Sequence, residues 1–346
     1  MNSAPVQPIV AIDAMGGDFG IKVTVSAAVD YLAKKPNSRH KIILVGDEAQ
    51  IKREITELNG DGYLAKGRIE VKHATEVVGM DESPALALKR KKDSSMRVAI
   101  NLVKQGEAQA SVSAGNTGAL MATAKFVLKT VKGVDRPAII STMPCKDTSQ
   151  TIHMLDLGAN VDSSPEMLVQ FAVMGSVLTQ FVDKKSSPRV ALLNVGAEEI
   201  KGSEKVKKAA TLLDATNLNY TGYIEADEIY DGKADIIVTD GFEGNVALKA
   251  SEGTAKMIMD VMREEFKKNA LTKLIGAVSL PILKAMQKRL DPRIHNGATL
   301  IGLNGIVVKS HGGTDSYGFQ HAIEEAFLQI EKDLIGHLVE QLEQNL

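Results

Sequence analysis

The sequence predicts an α/β fold: a mostly parallel sheet with helices on both faces, Rossmann-like, in a single domain over 1–346. Three observations predict it. Short apolar runs alternate with segments of helical length and helical periodicity, the pattern of strand–helix–strand units. The runs, such as 42–45 and 190–193, are apolar throughout rather than alternating, as strands buried on both faces are. Strand-like runs end repeatedly in glycine turns, at 13–18, 113–118, 155–160, 194–198 and 239–245. In open α/β sheets that carboxyl edge is where ligands bind, and a glycine there lets the backbone approach closely. These turns are expected to converge on one site.

In chain order, 9–12 reads as the first buried strand, followed by the Gly16 and Gly17 turn. A helix follows at 23–32, with Val25, Ala28, Val29 and Leu32 on one face. A second strand at 41–47, a helix at about 48–58 and a short strand at 69–71 come next. A loop at 80–84 leads into 85–92, which closes on four adjacent cations, Lys89, Arg90, Lys91 and Lys92. They suit a helix end or an acidic partner. After a helix at 96–106, a strand of small residues at 110–114 turns at 115–118 into a helix at 119–131. There the Asn116 amide and Thr117 hydroxyl offer an anion site, or Thr117 is an ordinary N-cap.

Residues 138–140 and 152–157 read as a buried hairpin or adjacent strands. Pro165 opens a helix to about 182, a favoured position for proline. The strand at 189–196 runs into a loop carrying Lys201. Strands at 219–224 and 236–239 complete the series, and the turn at 240–245 feeds a long helix from 246. Near the end, 305–316 reads as a strand and glycine turn carrying Lys309 and His311, with one helix at about 318–342 behind it.

Residues 261–293 differ in character. Leu271, Leu274, Ile275 and Val278 fall at i, i+3, i+4 and i+7; Pro281 is expected to break that stripe, and Leu283, Met286 and Leu290 form another. Arg263, Lys267, Lys268, Lys273, Lys284, Lys288, Arg289 and Arg293 surround them. An apolar stripe with a basic rim suits an anionic membrane surface; a core or dimer contact is the alternative.

Composition narrows the function. With 44% apolar and 24% charged residues the chain is ordinary for a globular protein. A net charge of -2 gives no global field to recruit nucleic acid. Cys145 stands alone, which excludes an intrachain disulfide or a cysteine zinc cluster and suits a reducing compartment. The seven histidines show no metal-ligand spacing, so no metal and no cofactor are expected. Residues 1–8 lack the pattern of a signal peptide, and no apolar run is long enough to span a membrane.

Seven blocks carry a family resemblance: Asp13-Ala-Met-Gly-Gly-Asp18, Lys91-Lys-Asp-Ser-Ser-Met96, Ser113-Ala-Gly-Asn-Thr-Gly-Ala-Leu120, Leu155-Asp-Leu-Gly-Ala-Asn160, Leu192-Leu-Asn-Val-Gly196, Thr239-Asp-Gly-Phe-Glu-Gly-Asn-Val246 and Val308-Lys-Ser-His-Gly312. Their order and content resemble the signature blocks of the bacterial phosphate acyltransferase family, PlsX. The resemblance implies transfer of a fatty acyl group from acyl carrier protein to inorganic phosphate, giving acyl phosphate for phospholipid (phosphatidic acid) synthesis. It implies a fold similar to the isocitrate and isopropylmalate dehydrogenases and the phosphotransacetylases. It further implies a homodimer and a cytoplasmic location with peripheral membrane attachment. The implied partners are acyl carrier protein, a membrane surface and the downstream glycerol-3-phosphate acyltransferase. On that reading Lys89 to Lys92 dock the acidic carrier, and Leu271, Leu274, Ile275 and Val278 contact the membrane.

Phosphate is already a nucleophile at neutral pH, so such a site needs positioning and electrostatics more than a strong base. By motif position and chemical type, Lys201 and His311 are the first catalytic candidates, and Asn194, Asp240 and Asn245 the next. Substrate binding is expected from Asp13, Gly16, Gly17, Asp18, Ser113, Gly115, Asn116, Thr117, Gly118, Asn160, Gly196 and Lys309. Competing readings are short-chain acyl transfer from coenzyme A to phosphate and a non-catalytic membrane scaffold. A dehydrogenase fits less well, for want of a Gly-x-Gly-x-x-Gly turn followed by an acidic residue.

Overall fold

The computed structural model describes residues 7–345. Residues 1–6, where most of the leader reading falls, lie outside the described residues, as do the side chains of Lys288 and Leu290.

The strands are β1 (Ile9–Asp13), β2 (Lys41–Gly46), β3 (Ile69–His73), β4 (Ala110–Ser113), β5 (Ala138–Met143), β6 (Ile152–Leu155), β7 (Arg189–Leu193), β8 (Asn219–Ile224), β9 (Ile236–Val238), β10 (Ala298–Ile301) and β11 (Ile306–Lys309). They form one eleven-stranded sheet in the order β3-β2-β1-β4-β11-β10-β5-β6-β9-β7-β8. Seven of the ten pairings are parallel, as the unbroken apolar runs require.

The three antiparallel pairings sit together in the middle, at β11–β10, β10–β5 and β5–β6. They correct the expectation of one convergent edge. Following the pairings outward, β1 to β4 and β11 point one way, with β5; β6 to β9 and β10 point the other way. The carboxyl ends of β1, β4 and β11 therefore lie at one edge of the sheet, and those of β6, β7 and β9 at the opposite edge. Register keeps each set level: Lys309 pairs with Ser113 on one side, and Leu155 and Leu192 both pair with Val238 on the other.

The helices are α1 (Ile21–Lys34), α2 (Glu48–Glu57), α3 (Asp61–Ala65), α4 (Pro84–Arg90), α5 (Ser95–Gln105), α6 (Thr117–Leu128), α7 (Pro165–Phe181), α8 (Glu204–Asp214), α9 (Gly241–Lys267), α10 (Ala270–Leu290), α11 (Ser316–Glu331) and α12 (Leu334–Asn345). α7 is buried without interruption from Met167 to Thr179, so it is a core helix rather than an amphipathic one. It packs with α8, α12 and the β6–β9 side of the sheet. α1 and α11 cover one face of the other half, and α5 and α6 pack on the opposite face.

Several element boundaries differ from the sequence reading. α10 runs straight through Pro281. The lost hydrogen bond is tolerated because the helix is held at its start by an Asn269–Thr272 capping box and along its length by α9. The C-terminal helix is two helices, α11 and α12, parted where Asp333 adopts a left-handed φ of 47°. α9 starts at Gly241, one turn earlier than expected, with the Asp240 side chain as its cap. Asn116, and not Thr117, caps α6, accepting from the Ala119 N–H. α3, α8 and β10 are additional to the elements foreseen.

Candidate active site

At the first edge the turns pack on each other. Asp13 is buried and accepts from Ser95 Oγ at 2.6 Å and Ser113 Oγ at 2.7 Å. Burial pushes its pKa up against those bonds. The Asp18 N–H donates to the Gly312 carbonyl at 3.0 Å, and the Ser310 N–H to the Ser113 carbonyl at 2.9 Å. A Cβ on Gly16 would stand 2.5 Å from Asp13 Oδ2, and one on Gly17 2.9 Å from the Ala114 Cβ. These glycines let three turns close on one another. Gly115 is similar, its N–H held by Ser113 Oγ, and Gly118 backs onto Pro84.

The Asn116 amide donates to the carbonyls of Met80 and Glu82, at 2.7 and 3.1 Å. It is committed to shaping the 80–84 loop. Thr117 is the first residue of α6. Lys309 lies over this knot and donates to the Ala114 and Ser310 carbonyls. Burial brings its pKa down to about 8, against the pull of Asp13 and Asp18. His311 is exposed, with its backbone N–H held by Asn296.

The second edge is organised around two buried carboxylates. Asp156 Oδ1 accepts from the N–H groups of Ile139, Gly158 and Ala159, and Oδ2 from the N–H and side-chain amide of Asn160, all within 2.7–3.2 Å. Burial still raises its pKa. Asp240 accepts from the Ser163 N–H at 2.7 Å, the Phe242 N–H at 2.9 Å and Lys205 Nζ at 2.8 Å. Burial alone would raise its pKa, but these donors outweigh it, and the carboxyl sits below the usual range. Asn194 donates to the carbonyls of Gly196 and Lys201, which folds the 194–202 loop around its amide. The Lys201 side chain lies across Gly196, where a Cβ would overlap its Cδ. Its ammonium pairs with Glu198 at 2.8 Å, which raises its pKa and keeps it charged. Asn245, one turn into α9, packs against Gly158, whose φ is +123°.

So the fold brings together Asn160, Asn194, Gly196, Lys201, Asp240 and Asn245. It leaves Asp13, Gly16, Gly17, Asp18, Ser113, Gly115, Asn116, Thr117, Gly118, Lys309 and His311 at the other edge. Lys201 and His311 do not share a site within one chain.

The sequence profile of the family described as "Fatty acid synthesis protein" matches residues 9–336. A phosphate acyltransferase of Legionella pneumophila (strain Corby) is 52% identical over 334 residues, covering 96% of each chain. One from Chromobacterium violaceum is 52% identical over 337 residues, covering 97% of this chain and 96% of its own. The chain belongs to the phosphate acyltransferase family. It is an acyltransferase. Among solved structures, a phosphotransacetylase from Streptococcus pyogenes superposes with a TM-score of 0.61 at 17% identity, covering 94% of both chains. The EutD phosphotransacetylase from Staphylococcus aureus follows at 0.58 and 18%, covering 93% of both. At those identities the likeness is one of fold.

Around the second edge of this acyltransferase stand exposed apolar side chains: Val161, Val195, Ile200, Phe242 and Val246, from 50% to 84% exposed. They ride on the same elements as the polar cluster, the 156–164 and 194–203 loops and the first turns of α9. A hollow of about 500 Å³ opens beside it, lined by Ser163, Lys205 and Arg136 among others. None of these three was singled out from sequence, nor was Asp156. Lys205 was the most findable: a helix starting after Ser203 puts it in the first turn behind a strand's carboxyl end.

The cationic run divides. Lys91 turns inward to Glu82, at 2.7 Å, and to the Val77 carbonyl, which removes it from the docking set. Lys89, Arg90 and Lys92 are exposed. On α10, Leu271, Leu274, Ile275 and Val278 are all exposed, so this stripe is not core within the chain. No described helix is long and apolar enough to cross a membrane.

Proposed function

We propose that the second edge transfers a fatty acyl group from the thioester of acyl carrier protein to inorganic phosphate, giving an acyl phosphate for phosphatidic acid synthesis. The observation that carries this reading is the pairing of a polar, cationic cluster with an apolar collar on the same two loops and the first turns of α9. A dianion and an alkyl chain must meet there, and each needs its own surroundings. A phosphate oxygen adds to the thioester carbon, and the C=O electron pair moves onto the carbonyl oxygen; as that pair returns the C–S bond breaks, and the thiolate takes a proton from water. Lys201 and the Asn245 amide supply charge and hydrogen bonds to the developing oxyanion. Asp240 fixes Lys205 and the 163 backbone, and Asn194 and Asn160 hold the loops in place. No metal or cofactor takes part.

Lys89, Arg90 and Lys92 dock the acidic carrier. They adjoin α6 at the first edge, so in a homodimer they serve the partner's site. The exposed α10 stripe and its basic rim hold the enzyme on anionic lipid from the cytoplasmic side, close to the downstream glycerol-3-phosphate acyltransferase. The test is phosphate-dependent release of free thiol, with acyl carrier protein and coenzyme A donors compared. Rapid release from a long-chain acyl carrier thioester, and slow release from acetyl-coenzyme A, is the expected result. The reverse preference favours the short-chain reading, and no release from either favours the scaffold.

A further inference from the structure

The hollow at the second edge borders a hydroxyl that the fold leaves unanswered. Ser163 lines it and is 1% exposed. Its backbone N–H is held by Asp240, but its Oγ has no hydrogen-bond partner. Of the described buried side chains with an unpaired polar atom, Ser163 is the one that lines this hollow, where a ligand could answer it. The walls agree on the sign of that ligand. The first turns of two helices, α7 at Ser164 and Pro165 and α8 at Glu204, both line the hollow, and helix N-termini favour anions.

Three cations line it too. Lys205 and Lys208 are each answered by a carboxylate at 2.8 Å, Asp240 and Glu166. Arg136 pairs with none of the described residues. Two acidic side chains, Asp162 and Glu204, also reach the hollow, but both are more than nine-tenths exposed and screened by water, and each has its own cation, Lys205 at 3.5 Å and Lys207 at 3.2 Å.

We propose that this hollow binds a phosphate group, with Ser163 Oγ as a donor to it and Arg136 and the two helix ends balancing its charge. The proposal rests on the second edge being the reaction centre and adds the place where a phosphate is held. The group has two possible sources: free inorganic phosphate, or the phosphodiester that joins a pantetheine arm to its carrier.

The test is steady-state kinetics of Ser163→Ala and Arg136→Ala, varying phosphate and acyl donor separately. A phosphorus NMR titration of inorganic phosphate against resting protein is the readout independent of turnover. If free phosphate is the occupant, its KM rises about tenfold in both variants, as for one lost hydrogen bond to an anion. The donor KM stays fixed, and the saturable line broadening seen with wild type disappears. If the phosphodiester is the occupant, the donor KM rises instead. Either outcome supports the site. Folded variants with both KM values unchanged overturn it. Should wild type release no thiol with phosphate, the reaction assigned to this edge fails on its own; the site is then judged by the titration, where equal broadening in wild type and Ser163→Ala overturns it. Arg136 is an exposed side chain, so its variant keeps the test open if Ser163→Ala folds poorly.

Discussion

Single side chains at the second edge do separable jobs. Lys201 is half exposed and lies over the surface of its own loop, so Lys201→Ala should fold normally and lose turnover by roughly 100-fold or more, the scale of one oxyanion donor. Thermal melting and kcat in the same preparation check both halves. Asp156 is the opposite case. Its oxygens accept five hydrogen bonds, so Asp156→Asn turns an amide NH₂ against N–H donors. The expected cost is about 2–4 kcal/mol in a denaturant titration.

Asp235 gives a pH signature. Burial pushes its carboxyl up, but Arg189 and Lys185 outweigh this and hold its pKa at about 2. A folded pKa below the unfolded one means stability fully present above about pH 4 and lost as pH falls toward 2. Asp235→Asn should therefore be less stable than wild type at pH 7, and the gap should shrink when both are measured at pH 2.5.

At the scale of elements, α9 shows how a glycine can carry a site without touching a ligand. A Cβ on Gly244 would overlap the Asp156 carbonyl oxygen. Gly244→Ala should push the first turn of α9 off the 156–160 loop, lowering both the melting temperature and kcat. An unchanged kcat would show that the register of Asn245 against that loop is not needed. The strands and most helices were legible because their signals are local: apolar runs of five or six residues, and Pro165 behind Ser164. α8 was not, because its fully buried side is only Ala209, Ala210 and Leu213, and its first two turns carry Glu204, Lys205, Lys207 and Lys208. β10 was not, because Ala298–Ile301 is only four residues long and opens on Ala298 and Thr299, although Gly297 and Gly302 flank it. The five glycine turns were found, but their meaning was read too simply. From sequence, a glycine that admits a ligand and one that admits another loop look the same.

For the whole molecule, strand direction decided what sequence could not. The reversal rests on three short antiparallel pairings; the hairpin reading of 138–140 and 152–157 matches the β5–β6 pairing, but nothing in Ala298–Ile301 marks its direction against β5 and β11. That is why Lys201 and His311 looked like partners and are not within one chain. Surface chemistry was more readable, since the basic rim and apolar stripe of α10 depend only on helical period. Replacing Leu274 and Ile275 together by Glu should leave the melting temperature unchanged, because both are exposed, and abolish sedimentation with anionic vesicles. Retained sedimentation counts against the membrane contact, and a fall to monomer on a sizing column makes the stripe an interface between copies.

α9 is 27 residues long, a rod of about 40 Å. One end is wedged against the Asp156 loop through Gly244, and the other turns into α10 and its solvent-facing apolar stripe. The helix is continuous between the two, so a tilt imposed at the far tip would be carried toward Asn245. Anything that fixes the angle of the hairpin also sets the aim of an amide nearly the breadth of a domain away.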